Sequence, residues 1–550
     1  MKRLILATLF VAAALVLVWQ AAAQTQAPIS KDLAGLIQSG DRKEALKLIR
    51  AGADVNQTQP DGTSPLHWAV LRVDYELLQE LLQHKAKPSL TNAFGSTPLA
   101  EAVKLDDARM VKLLLDAGAE PEGTNEDHQS ALMLAVKASN LDLVRLLIAA
   151  GANVSNAETF HNQTPLMWAA SADHNAAAMV DLLLAKGANV KARSLYTDWP
   201  SQVSSEPRGQ YRPVGGLTAL LYAARDGCFE CAQSMIKAGA DVNVPTPEGV
   251  SPLMLAIDNG HNEVAKMLLE NRAKPDVWDW WGRTPLYIAI DRKNAGGRAG
   301  AGIGGVAAPL AGRGGGRPTV SNMELITTLL SMGANPNAEM NFHRPSRGGN
   351  SGRFGETQLS TGCTPLFRAV QSNDMEVIRA LLAKGANPNI NTMGYTSFLI
   401  AAGVGAGGRA GAGGTPNREL LDLLIEHGAN VNAQVVDSQL YSHHVLYQNP
   451  PNNEGTSALH AAVERSNTDI VKYLLDHGAN PHLVNKDGRK PIDLIGAATA
   501  APRGGGAGAG AAKGKGPPAA TAAGRGGAPT GGGQAAQDIR KLLEAAMANK

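Results

Sequence analysis

The chain has 550 residues, 44% hydrophobic but only 4% aromatic, so small aliphatics, chiefly Ala and Leu, must fill any large core, which suits closely packed helices. It carries 51 basic and 49 acidic residues, or 49 of each once an N-terminal leader holding Lys2 and Arg3 is removed. A mature chain without net charge lacks the broad positive field of a nucleic-acid binder, so no nucleic-acid partner is expected.

The N-terminus comes first. Lys2 and Arg3 precede an apolar run over 4–18 and the small-residue site Ala21-Ala22-Ala23. This pattern predicts a signal peptide over 1–23, with Gln24 the first mature residue and the product in the periplasm or secreted. The competing reading, a retained membrane anchor, needs about 20 apolar residues, and the run is short of that. No cysteine stands at the site to carry a lipid, and no later segment is long and apolar enough to span a membrane.

From about Lys31 the chain repeats. A [Thr/Ser]-[Pro/Ala]-Leu pattern recurs at Ser64, Thr97, Ser130, Thr164, Thr218, Ser251, Thr284, Thr364 and Ser457, with degenerate copies at Thr396 and Lys490. A Gly-Ala-[Asp/Asn] pattern begins at Gly52, Gly151, Gly187, Gly239, Gly333, Gly385, Gly428 and Gly478, with variants at Lys85, Gly118 and Arg272. Undisturbed copies stand 33 residues apart, as Pro65, Pro98 and Ala131 show. Each unit reads physically. Thr or Ser caps a first helix, and Pro sits at its first turn, where a missing N–H costs nothing. A second helix with apolar residues at helical spacing follows, such as Val111, Leu114 and Leu115. A left-handed glycine such as Gly118 ends it, and a short Gly-containing hairpin leads to the next cap.

Gly62-Thr63-Ser64-Pro65-Leu66-His67-Trp68-Ala69 and Leu474-Leu475-Asp476-His477-Gly478-Ala479-Asn480 resemble the ankyrin repeat, here of an exported bacterial type. The resemblance covers about residues 30–495 plus a terminal helix. It implies an all-α solenoid of helix pairs with short hairpin connections, about 11–12 units, and a protein partner. The family's histidine is kept only at His67 and His460. Met133, Met167, Leu221, Met254, Tyr287 and Phe367 replace it, which should loosen some bonding between repeats without changing the fold.

Breaks in the spacing locate insertions within a 24–495 array. Those at 193–215, 338–361 and 433–453 fall between units and carry aromatics such as Tyr196, Trp199 and Phe342. Those at 294–320 and 403–416, and the tract 496–536, fall within units. They are rich in Gly, Ala and Arg, which predicts disorder. Residues 537–550 then form a C-terminal capping helix.

Chemical motifs are sparse. Cys228-Phe229-Glu230-Cys231 opens a second helix, and Cys231 takes a slot that Val264 fills elsewhere. A packing pair is the favoured reading, with a local disulfide and redox catalysis as alternatives. Cys363 sits beside a hairpin glycine, and three cysteines cannot build a four-Cys zinc site. His443-His444 lacks a third ligand at metal-binding spacing. Lys513-Gly514-Lys515 has no Ser or Thr after it and is not a phosphate loop. No cofactor or metal is expected, and the chain is not read as an enzyme. The Arg-Gly stretches at 312–317 and 503–506 leave an envelope polyanion binder as the alternative, and chemistry in the insertions as a lesser one. The sharpest signal is aromatic: Phe94, Phe160, Trp278, Trp280, Trp281 and Tyr395 fall near hairpin positions, where side chains point from a tip. Exposed Trp and Tyr are enriched at binding hot spots. The competing reading packs the tryptophans on neighbouring hairpins. The expectation is a monomeric scaffold that binds protein through the hairpin edge and inner helical face.

Overall fold

The computed structural model describes residues 32–125, 127–197, 214–280, 282–295, 320–340, 362–392, 394–404, 416–436, 453–496 and 532–548. The leader, most of each insertion, Trp281 and His443-His444 lie outside these residues, as do the 312–317 and 503–506 Arg-Gly stretches and the lysines at 513 and 515. The chain divides into two compact bodies, and the boundary in sequence falls between Pro247 and Glu248. Each is a stack of helix pairs, and the fold is an all-α repeat solenoid with, among the described residues, one two-residue β-ribbon, Tyr196–Thr197 against Val214–Gly215.

Among the described residues the first body holds six pairs, from Leu33–Ser39 with Arg42–Arg50 to Ala219–Asp226 with Phe229–Lys237. The second runs from Pro252–Asn259 with Asn262–Glu270 to Ala458–Glu464 with Thr468–Asp476. It ends with the turn Pro491–Leu494 and the helix Gly532–Ala548. That last helix begins five residues earlier than the expected start at 537. It packs on Thr468–Asp476 through Ile539 and Leu543, four residues apart and both buried.

Local chemistry explains where the helices begin. Ser64, Thr97, Ser130, Thr164, Thr218, Ser251, Thr364, Thr396 and Ser457 each accept the amide of the third helical residue. Each such cap contributes about 1 kcal/mol. Within each body, first helices stack on first helices and second on second. The core between them is aliphatic: Val111, Leu114, Leu147, Leu183, Leu268 and Leu381 are fully buried or nearly so.

Two polar devices tie unit to unit. His67 Nδ1 lies 2.8 Å from Ser64 Oγ while its Nε2 reaches Ser96 O, 29 residues on, at 3.1 Å. His460 repeats this with Ser457 and Arg489 O. Where histidine is replaced, Met133, Met167, Leu221, Met254, Tyr287 and Phe367 fill the slot as buried side chains. The second device is the asparagine two residues after the asparagine of Gly-Ala-Asn. Asn337 donates to Gly385 O at 2.9 Å and accepts from Asn387 N–H at 2.7 Å. Asn389 does the same to Gly428 and Asn430, and Asn432 to Gly478 and Asn480.

Candidate functional site

The hairpins that join units form one edge of each body, and they are braced from within. An acceptor side chain folds each tip: Asn92 Oδ1 accepts the amides of Phe94 and Ser96 at 3.1 and 3.0 Å. Glu158, itself buried, accepts those of Phe160, His161 and Gln163 at 2.7–2.9 Å. Neighbouring tips bond to each other through main chain, Ala93 N–H to Asp61 O at 2.7 Å and Trp280 N–H to Glu248 O at 2.8 Å. Gly249 must be glycine because its φ is +82° and a Cβ there would stand 3.1 Å from Trp278 O.

On these tips Phe94, Phe160, Trp278 and Trp280 are 59, 58, 67 and 45% exposed. The Trp278–Trp280 tip is held by a buried ion pair as well. Asp279 between the two indoles has a side chain with no exposure, and its carboxylate accepts Arg283 N–H at 2.9 Å and Arg283 Nε at 2.7 Å. Arg283 also meets Asp258 at 3.3 Å. Burial pulls the Arg283 guanidinium down, but Asp279 and Asp258 outweigh it and hold it above the ordinary arginine range.

Tyr395 corrects the sequence reading. It is 3% exposed, packs beside Phe367, Leu399 and Val435, and donates its hydroxyl to Asn453 Oδ1 at 3.1 Å. The reason is its distance from the cap. Tyr395 immediately precedes the cap Thr396, and that slot is turned from solvent: Ser96, Val250, Cys363 and Thr456 occupy it elsewhere and are buried, and Gln129, Gln163, Leu217 and Arg283 are half-buried there. Phe94, Phe160 and Trp280 stand three or four residues before their caps and reach the tip. Trp281 is outside the described residues.

The between-unit insertions leave from this same edge. Their ends are zipped by main-chain bonds at Ser194/Leu217 and Leu195/Gly216, at Met340 with Gly362 and Cys363, and at Val435 with Gly455 and Thr456. Beside the first stem, Leu195 and Tyr196 are exposed and Leu195 N–H donates to His161 O, next to Phe160. The within-unit insertions leave from helix–helix turns, after Ala295 and after Val404.

Sequence reasoning missed a second set, on the inner helical face of the first body. Trp68, Trp168 and Tyr222 take the fourth position of their first helices, one slot after the family histidine, and that shared register was the available signal. Gln163 bridges two of them, accepting Trp168 Nε1–H at 2.8 Å and donating to Tyr222 OH at 2.6 Å. Lys137 and Arg225 lie over the Trp168 and Tyr222 rings at 5.8 and 4.9 Å. On the corresponding face of the second body Arg368 pairs with Asp291 at 2.8 Å, both nearly buried.

The cysteine pair also departs from the favoured reading. Cys228 and Cys231 are bonded to each other, because the first turn of the helix brings their Cα atoms to 5.3 Å. Cys231 is still a packed core residue with no exposure. Cys363 is a buried thiol whose pKa burial pushes up to about 12. Among the described residues no three His, Cys, Asp or Glu side chains are placed to hold a metal ion, and no helix is long and apolar enough to cross a membrane.

A family model described as ankyrin repeats in three copies matches residues 33–125, 102–194, 204–279, 220–296 and 320–435, together more than half of the chain. A single ankyrin-repeat model matches 454–486. Among curated proteins, the chain is 29% identical over 146 residues to alpha-latrocrustotoxin-Lt1a of Latrodectus tredecimguttatus, covering 26% of this chain and 8% of the toxin. It is 27% identical over 226 residues to Rabankyrin-5 of Mus musculus, covering 40% of this chain and 17% of that protein. The chain therefore spans less than a fifth of either relative. Among solved structures, the human ASB11 ankyrin repeat domain is 26% identical with a TM-score of 0.34, covering 44% of this chain and 98% of that domain.

Proposed function

Because the chain belongs to the ankyrin-repeat family, we propose that it is a non-catalytic protein–protein interaction scaffold of exported bacterial type, binding through its hairpin edge and inner helical face. The observation that carries this reading is the Trp278–Trp280 tip: two exposed indoles on a loop whose buried Asp279 is locked to Arg283. A large aromatic surface on a loop already ordered before binding avoids the entropy of ordering it afterwards. The half-buried Trp68 and Trp168 of the first body add a second, less exposed aromatic surface, with Tyr222 buried beside them. Export rests on residues 1–23 alone, and N-terminal sequencing of the mature protein tests it: Gln24 is the expected first residue, and a membrane-bound product retaining Met1 would refute it.

The binding reading is tested with the 24–550 chain as bait in native envelope extract, followed by affinity measurement on the captured protein. Replacing Trp278 and Trp280 by Ala should weaken binding more than about tenfold, since an interface tryptophan contributes about 2 kcal/mol or more. Melting should hardly change. Unchanged affinity would remove the tip from the interface.

A further inference from the structure

Cys228 stands where other units place an oxygen acceptor. Asp74, Asp107 and Asn140 in the first body, and Asp374 and Asn467 in the second, open their second helices by accepting the amide of the third helical residue. Cys228 opens the nine-residue helix Phe229–Lys237 in the same way, its Sγ accepting Cys231 N–H at 3.3 Å. The bond to Cys231 closes a loop of four residues, and short loops constrain the unfolded chain least. The helix packs on Ala176–Ala185 and Ala219–Asp226 as second helices pack in units that have no cysteine. The fold therefore gains little from this crosslink, and the cap survives its reduction. The two residues are also unequal: Cys231 is fully buried while Cys228 is half-buried, which makes Cys228 the side of the bond open to an incoming thiol.

We propose that Cys228–Cys231 is a thiol–disulfide exchange site for dithiols, small or in a protein, with Cys228 as the sulfur that carries the mixed disulfide. A thiolate of the dithiol attacks Cys228 Sγ. The Cys228–Cys231 bond breaks, and Cys231 leaves with the electron pair and takes up a proton. The second thiol of the dithiol, as thiolate, then attacks its partner sulfur in the mixed disulfide and expels Cys228 as thiolate. The dithiol has become a disulfide, and its two electrons reside on the Cys228 and Cys231 sulfurs. The expelled Cys228 sulfur remains at the positive end of the helix, facing the Cys231 amide. The reverse sequence reoxidises the pair with a disulfide as oxidant.

The whole chain is equilibrated in dithiothreitol and glutathione buffers of graded ratio, acid-quenched, alkylated and weighed intact. Two alkylatable thiols should appear and disappear reversibly beside a constant one from Cys363, which takes up no glutathione, and reduction should move the melting temperature by less than about 3 °C. Cys231→Ser should trap one glutathione on Cys228, and Cys228→Ser should take it up at least about tenfold more slowly. A pair reducible only after unfolding, thiols that oxidised glutathione never joins, a larger fall in melting, or equal trapping in the two variants would overturn the proposal. If Cys231→Ser fails to fold, the titration of the unaltered chain decides.

Discussion

Asp279→Ala tests whether the tryptophan tip is held by its buried ion pair. The Asp279 side chain has no exposure and Arg283 has 12%, so removing the acid strands a guanidinium that solvent hardly reaches. Breaking a fully buried pair costs about 3–5 kcal/mol. Here Asp258 remains 3.3 Å from Arg283 and is itself 32% exposed, so part of the attraction survives. The Arg283 amide loses its acceptor as well, adding about 1 kcal/mol. The expected sum is about 2–4 kcal/mol, local to the 248–295 repeats. Asp279→Asn keeps an acceptor for the amide and should cost less. Repeat arrays open unit by unit, so the assay is hydrogen exchange read on peptides from this stretch rather than a single unfolding midpoint. Trp278→Ala and Trp280→Ala, which truncate exposed side chains, should change protection there by less than about 1 kcal/mol. If the tryptophan changes loosen the repeat more than Asp279→Ala does, the indoles are packing elements and the assignment of the tip as a binding surface fails.

Three further outcomes are expected. Burial lowers the pKa of His67 and His460, so above the unfolded histidine value of about 6.5 both states are neutral and their contribution is complete; as pH falls below it the unfolded chain takes protons first and stability is lost. Urea midpoints at pH 7 and 5 should therefore separate less in the His67→Gln/His460→Gln chain than in the unaltered one. Arg272 sits at φ +68° where most units have glycine, so Arg272→Gly should stabilise its repeat by roughly 1 kcal/mol in exchange measurements; destabilisation would show that its side chain matters more than its backbone. Leu114→Ala, at a position with no exposure between stacked helices, should cost about 2–5 kcal/mol in urea unfolding, and a loss below about 1 kcal/mol would place it outside the core.

Much of this protein was legible from its chain because ankyrin units are built from short-range chemistry. A serine or threonine followed by proline caps a helix whatever lies around it, and a glycine at positive φ ends one. Thr97, Pro98 and Gly118 thus marked the ends of a helix pair directly. The 33-residue spacing then placed the hairpins and the insertions between them. Direction of a hairpin side chain was the harder matter. Phe94 and Tyr395 look alike as aromatics near a hairpin glycine, yet two residues of difference in distance to the cap send one to solvent and the other into the core.

The tertiary structure decided what depends on residues distant in sequence or on exposure. Asp291 and Arg368 are 77 positions apart and become a nearly buried pair only when successive first helices stack. Trp68, Trp168 and Tyr222 become one face only because 33-residue units, and one unit lengthened by an insertion, come back into register. A Cys-x-x-Cys on a helix serves equally as a packing pair or a crosslink. Its sequence determined the slot; the approach of the two backbones to 5.3 Å made it a crosslink, with Cys228 half-buried and Cys231 fully buried. Capping and turn formation are settled within four or five residues of chain, whereas exposure and charge pairing are settled by whichever surfaces the stack brings together.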